Sequence, residues 1–90
     1  MTFLLLTEDP QEGQALSARL TGAGERNLCL MAAPADAADA LRAVQVDRVV
    51  CPADVLEPLR ETAPFSPPPR FFPWPERVTE DWLRALTQSS

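Results

Sequence analysis

Three residue types with reactive side chains are missing from this chain of 90 residues, which contains no histidine, no lysine and no tyrosine. Their absence removes the usual general base near neutral pH, the amine that forms Schiff bases, and the most common metal ligand. The lysine of a phosphate-binding loop is excluded as well. We therefore expect the chain not to be an enzyme, and to use no metal, cofactor or small-molecule substrate.

Cysteine is scarce, and the two cysteines of the chain are Cys29 and Cys51. Each lies within an apolar run, which favours buried thiols acting as small hydrophobic side chains over a disulfide or redox pair. A zinc site would need more ligands than these two residues supply.

Basic residues are fewer than acidic ones: the chain has 8 arginines and 13 acidic residues, and its net charge is -5. No stretch gathers arginines as a phosphate backbone would require, so we expect no nucleic-acid partner. The apolar run at residues 3–6 is too short for a signal-peptide core or a membrane span. We expect a cytoplasmic protein without membrane contact.

Short apolar runs alternate with helical patterns in the first half of the chain. Residues 3–6, 27–32 and 47–51 predict three strands, and residues 10–22 and 34–43 predict the helices between them. The order strand, helix, strand, helix, strand is typical of a parallel sheet with right-handed crossovers.

The pattern weakens after Pro52. Residues 54–61 predict a short helix of about two turns or fewer, because proline at Pro58 is tolerated in a first turn but not in a helix interior. Residues 64–75 hold six of the ten prolines and four of the six aromatic residues, which predicts an extended segment. Thr79 predicts the start of a last helix as its N-cap.

Three stretches each join a short apolar run to a turn that contains proline. Residues 4–10 read Leu-Leu-Leu-Thr-Glu-Asp-Pro, residues 47–52 read Asp-Arg-Val-Val-Cys-Pro, and residues 71–75 read Phe-Phe-Pro-Trp-Pro. In order and spacing they resemble the first strand with its acidic turn, the third strand, and the last strand with its lysine–proline turn in response-regulator receiver domains.

The resemblance implies a flavodoxin-like α/β fold, a three-layer sandwich around a short, mostly parallel sheet. The chain is shorter than the about 120 residues usual for such a domain. We therefore interpret residues 64–75 as the replacement for one strand and one helix of the family. About four strands in the order 2-1-3-4 should remain, in a single domain over residues 1–90.

The resemblance also implies that the phosphate chemistry of the family is lost. The aspartate that accepts phosphate falls on Pro52, which has no side-chain nucleophile, and the lysine that contacts the phosphoryl group falls on Trp74. The two acids that hold magnesium fall on Thr7 and Glu8, so one of them is missing. Because Pro75 matches a family proline with a preceding cis peptide, Trp74–Pro75 is a candidate cis bond.

Three acids, Glu8, Asp9 and Asp54, are expected to meet at the carboxyl ends of the first and third strands, where ligands bind in such sheets. They could form a cation site or a solvated acidic rim whose carboxylates cap helix starts. We favour the rim, a vestigial acidic pocket, because no lysine is present to offset the repulsion among the acids.

Loss of a strand and a helix would expose a sheet edge and an apolar face, and both need cover. The residues predicted to form that interface are five aromatic residues and one arginine: Phe65, Arg70, Phe71, Phe72, Trp74 and Trp82. Residues 65–74 fit either a polyproline II ligand for an SH3-type groove or an ordered connection laid over the sheet.

These expectations lead to one functional hypothesis and one alternative. The hypothesis is a phosphorylation-independent pseudo-receiver that acts as a protein-interaction or regulatory module, with a protein partner or as a homodimer. The alternative is an obligate small structural subunit of a larger complex or enzyme.

Overall fold

The computed structural model describes residues 1–24, 26–62 and 69–88. Its strands are β1 (Thr2–Leu6), β2 (Leu28–Ala32), β3 (Arg48–Cys51) and β4 (Arg70–Pro73). Its helices are α1 (Pro10–Ala23), α2 (Ala37–Ala43), α3 (Ala53–Thr62) and α4 (Glu80–Thr87), and a short 3₁₀ turn, Pro34–Asp36, precedes α2.

The four strands form one parallel sheet in the order β2-β1-β3-β4. This confirms the predicted fold class and strand order, a flavodoxin-like layout. The chain moves from β1 outward to β2 and then returns to pair β3 on the other side of β1. The carboxyl ends of β1 and β3 therefore mark the point where the direction of winding changes.

The sheet is the middle layer of three, because alternate residues of its strands point to opposite faces. Leu4 belongs to a core on the side of α2 and α3, whereas Leu5 belongs to a core on the side of α1 and α4. The first core comprises Leu4, Leu6, Ala37, Leu41, Val46, Val49, Cys51 and Leu59. The second comprises Phe3, Leu5, Leu16, Leu20, Val50 and Leu86. Burial on both faces explains why residues 3–6 of the first strand are all apolar.

Polar side chains fix both ends of α1. The carboxylate of Asp9 accepts a hydrogen bond from the backbone N–H of Gln11 at 3.0 Å, and Pro10 occupies the first helical position, where no N–H is needed. Beyond the other end, Nδ2 of Asn27 donates to the carbonyl oxygen of Leu20 at 2.8 Å. These contacts hold the helix beside β1 and β2.

Helix α3 is longer than the sequence predicted. It spans Ala53–Thr62, 10 residues or nearly three turns, with Pro58 inside it, so the prediction of two turns or fewer was wrong. Its apolar side is the reason, because Leu59 is buried and Val55 and Leu56 pack against the same core. Burial of this side outweighs the unfavourable interior proline.

The last part of the chain follows the prediction where the structure describes it. Residues 70–73 within the expected extended segment form β4, and Thr79 caps α4, its hydroxyl accepting from the N–H of Trp82 at 3.1 Å. An ion pair between a guanidinium nitrogen of Arg19 in α1 and a carboxylate oxygen of Glu80 in α4, at 3.3 Å, links these two helices. None of the helices in the described ranges combines the length and apolar character needed to cross a membrane.

Candidate functional site

The loops that follow β1 and β3 border a concavity of about 450 Å³ at the carboxyl edge of the sheet. Its lining includes Thr7, Glu8, Asp9, Pro52, Asp54 and Trp74. The structure thus brings together the three acids of the predicted pocket with Pro52 and Trp74, the residues that the resemblance predicted at the phosphate-acceptor and lysine positions. This is the crevice where flavodoxin-like sheets bind ligands.

Hydrogen bonds within the β1–α1 loop and from the loop to β2 engage the polar groups of Thr7. Oγ1 of Thr7 accepts from the N–H of Asp9 at 3.1 Å, and the N–H of Thr7 donates to the carbonyl oxygen of Ala32 at 3.2 Å. The Asp9 carboxylate caps α1, which is the role that the acidic-rim interpretation assigns to such a residue. Glu8 and Asp54 are exposed.

The acids of the crevice do not converge. Among the described residues, no three His, Cys, Asp or Glu side chains come together in a way that could hold a metal ion. Glu8, Asp9 and Asp54 therefore share the border of one concavity without forming a ligand cluster.

Trp74 is joined by hydrogen bonds to the ends of both central strands. Its backbone N–H donates to the carbonyl oxygen of Cys51, the last residue of β3, at 3.0 Å. Its indole Nε1 donates to the carbonyl oxygen of Leu6, the last residue of β1, at 2.7 Å. The half-buried ring also packs against the core on the side of α1 and α4. The residue therefore links the ends of β1 and β3, and the indole uses its one polar atom on the backbone.

Pro52 serves as the start of α3. Its carbonyl oxygen accepts hydrogen bonds from the N–H groups of Val55 at 3.0 Å and Leu56 at 3.1 Å. A proline ring offers no atom that could attack phosphorus, so this position contributes helix initiation and no nucleophile.

The two cysteines are free thiols, of which Cys51 is buried and Cys29 is half-buried. Burial, and secondly the negative charge of Asp54, raise the pKa of the Cys51 thiol to about 11. Burial also raises the pKa of Cys29, an effect that a hydrogen bond with the Ser17 side chain partly offsets. Both thiols are protonated at neutral pH and are weak nucleophiles.

The residues of the predicted interface occupy different sides of the sheet. Phe72, Trp74 and Trp82 pack against the core beside α1 and α4, whereas Phe71 packs against the opposite core. Neighbouring strand residues alternate between faces, so Phe71 and Phe72 cannot share one surface. Arg70 is exposed at the start of β4, and Phe65 lies outside the described residues.

The sequence interpretation missed the residues at the other edge of the sheet. In the described ranges the exposed large apolar side chains are Leu28 at 55%, Met31 at 46% and Val44 at 39%. Leu28 and Met31 lie on β2. The predicted strand order already placed this strand at an edge, and that position was the signal that could have identified them.

Compared with protein-family models, with curated proteins and with solved structures, the chain matches none. The likeness to receiver domains therefore depends on the residue pattern of the strands and turns and on the order of the sheet.

Proposed function

We propose that the chain is a receiver-like domain that takes up no phosphoryl group and acts by binding protein, as an interaction or regulatory module. One observation carries this proposal, the 2.7 Å hydrogen bond from Trp74 Nε1 to the carbonyl oxygen of Leu6. At the position where receiver domains carry a cationic lysine, this chain has a neutral ring whose donor is already used.

The electrostatics of the crevice support the same conclusion. Four acids line it, namely Glu8, Asp9, Glu12 and Asp54, and none of its described lining residues is basic. A phosphoryl group is anionic and needs donors or cations around it. An acid-lined concavity repels such a group, and Pro52 provides no atom to accept it.

A module of this kind signals through a contact surface and not through covalent chemistry. The side chains that we propose for contact with a partner are Phe72, Trp74 and Trp82, which lie half-exposed on the same side of the sheet. Large aromatic side chains often anchor protein interfaces. Phe71 packs on the opposite face of the sheet and does not belong to this surface, whereas Arg70 and Phe65 stay predictions for the interface.

Incubation with acetyl phosphate and Mg²⁺, followed by intact mass measurement, tests the proposal. We expect no mass increase for the wild-type chain. The variant Thr7→Asp/Pro52→Asp/Trp74→Lys restores the family residues at three positions, and we expect it to gain one phosphoryl group. Phosphorylation of the wild type would contradict the proposal, and a folded but unmodified triple variant would contradict its receiver-like part.

The exposed apolar residues of β2 favour a second candidate, an obligate structural subunit of a larger complex. Leu28 and Met31 would then be covered by another protein. Such a subunit should lack a cooperative thermal transition when it is purified alone. A cooperative transition of the isolated chain would contradict this alternative.

A further inference from the structure

The outer side of β2 carries none of the features that usually prevent a sheet edge from pairing. Residues 27–33 contain no charged side chain and no proline. The opposite edge strand, β4, differs because it begins at Arg70 and ends at Pro73, whose nitrogen cannot donate. Charges and prolines at edges block pairing between molecules, so β2 is the open edge of this sheet.

The backbone groups of β2 that are available follow from its pairing with β1. The N–H of Leu28 donates to the carbonyl oxygen of Met1 at 2.9 Å. The carbonyl oxygen of Ala32 accepts from the N–H of Thr7 at 3.2 Å. In a parallel pair, the backbone groups of every second residue bond to the neighbouring strand, and those of the residues between them point away from it. The N–H and C=O groups of Cys29 and Met31 therefore face the open edge, where no other strand of the described chain lies.

The side chains of β2 are also incompletely covered by the helices. Leu28 is 55% exposed and Met31 is 46% exposed, although each lies on a different face of the strand. The helices on both faces thus leave the edge accessible. Exposed apolar side chains beside unpaired backbone groups mark a surface that contacts another chain.

We propose that β2 pairs antiparallel with β2 of a second copy, about a twofold axis at Leu30. In this register Cys29 and Met31 of each copy exchange backbone hydrogen bonds with Met31 and Cys29 of the other, about four bonds in all. Leu28 lies opposite Ala32. Each exposed side chain therefore meets a small one, which is the arrangement that packs without voids.

The charges at the ends of β2 select this orientation. Arg26 precedes the strand and Asp36 follows it, and both side chains are exposed. Ion pairs in the described ranges involve Arg19 and Arg60 but not Arg26. Antiparallel pairing brings Arg26 of one copy towards Asp36 of the other. Exposed ion pairs contribute little energy, so this contact sets orientation more than affinity.

A twofold pairing of identical strands closes on itself, which leaves no second open β2 edge and so prevents further growth. The two sheets would join into one continuous sheet. This dimer uses the edge of the sheet remote from β4, and it would form whether or not the crevice takes up phosphate.

Sedimentation velocity and light scattering from micromolar to millimolar concentration test the proposal. We expect the wild type to reach about twice its chain mass of 9.9 kDa. Met31→Lys and Leu28→Lys, which place a charge on either face of the edge, should remain monomers. Val44→Lys, at another exposed apolar residue outside β2, should dimerise like the wild type. Circular dichroism checks that each variant is folded.

A wild type that stays monomeric at every concentration would overturn the proposal and leave the edge to a strand of another protein. A dimer that persists in both folded lysine variants would overturn it as well, because the contact would then lie elsewhere on the molecule.

Cross-linking tests the register. In the proposed pairing the cysteine of Met31→Cys lies opposite the native Cys29 of the second copy. The two Cα atoms are then about 5.5 Å apart, a distance that suits a disulfide. Mild oxidation should give a covalent dimer on a non-reducing gel. The control Met31→Cys/Cys29→Ser should not cross-link. Absence of the first product, or formation of the second, would overturn pairing about Leu30.

Discussion

Trp74 and Leu6, which are 68 positions apart in the sequence, are joined by a hydrogen bond of 2.7 Å from the indole Nε1 to the backbone carbonyl. Leu6 ends β1, and the crevice beside it is where this fold usually binds ligands. An aromatic side chain there supplies apolar contacts and one donor, and the donor is used within the chain. The relationship leaves the crevice without a free indole donor for a ligand.

Replacing Trp74 tests this hydrogen bond. Trp74→Phe removes Nε1 and leaves the Leu6 carbonyl without that donor, so we expect the free energy of unfolding to fall by about 1–3 kcal/mol. Trp82→Phe is the matched control, because that residue packs against the same core. Denaturant titration measures both. Equal losses for the two variants would contradict a specific role for the Trp74 donor.

Alkaline pH should reveal the buried thiol of Cys51. Its pKa is about 11 in the folded chain against 9.0 as the ordinary value. Between these values the unfolded chain releases the proton that the folded chain keeps, so stability is full below about pH 9 and declines as pH rises to about 11. Two pKa units correspond to about 2–3 kcal/mol.

The composition simplifies this measurement, because the chain has neither lysine nor tyrosine and Cys29, whose pKa burial also raises, is the other side chain that titrates in this range. We expect Cys51→Ala to flatten most of the decline in unfolding free energy between pH 9 and 11. A slope that is the same in Cys51→Ala and the wild type would assign the titration to another group.

Two glycines of α1 should respond differently to alanine. A Cβ at Gly22 meets no atom within 4 Å, whereas one at Gly13 would lie 2.8 Å from Sδ of Met31 and 3.1 Å from Cγ2 of Thr7. We expect Gly22→Ala to raise the free energy of unfolding by up to about 1 kcal/mol. Gly13→Ala should raise the free energy of unfolding by less than Gly22→Ala does, or lower it, because the new Cβ would crowd Met31. Equal gains in thermal or urea unfolding would show that Gly13 is not closely packed.

The acids of the crevice should act as separate surface groups. Asp9→Ala removes the cap of α1 and should cost about 1 kcal/mol, whereas Glu8→Ala should change stability by less than about 0.5 kcal/mol. Millimolar Mg²⁺ should leave the melting temperature of the wild type unchanged. A rise with Mg²⁺ that Glu8→Ala abolishes would instead indicate a cation site.

The layout of the sheet could be predicted from the sequence because its strands are buried on both faces. Continuous apolar runs such as residues 3–6 separate clearly from the helical patterns between them, and the acidic and proline turns mark where each strand ends. The N-cap role of Thr79 could also be predicted, because it depends on a local pattern of side chains.

Features that depend on distant contacts could not be predicted in the same way. Local propensity shortens α3 at Pro58, but burial of Leu59 against the sheet extends it. The sequence pattern predicted Trp74 at the end of a strand and did not indicate that its ring reaches Leu6. The separation of Phe71 from Phe72 followed from strand alternation and could have been inferred once β4 was recognised.

The most direct test of the central claim follows the indole N–H resonance of Trp74 by NMR, with Trp82 as the internal reference and Trp74→Phe for assignment. We expect the Trp74 N–H to exchange with solvent more slowly than that of Trp82, and neither resonance to move when Mg²⁺ and acetyl phosphate are added. A Trp74 N–H that exchanges rapidly, or that shifts as a phosphorylated species forms, would contradict a crevice in which the Leu6 carbonyl already holds this donor.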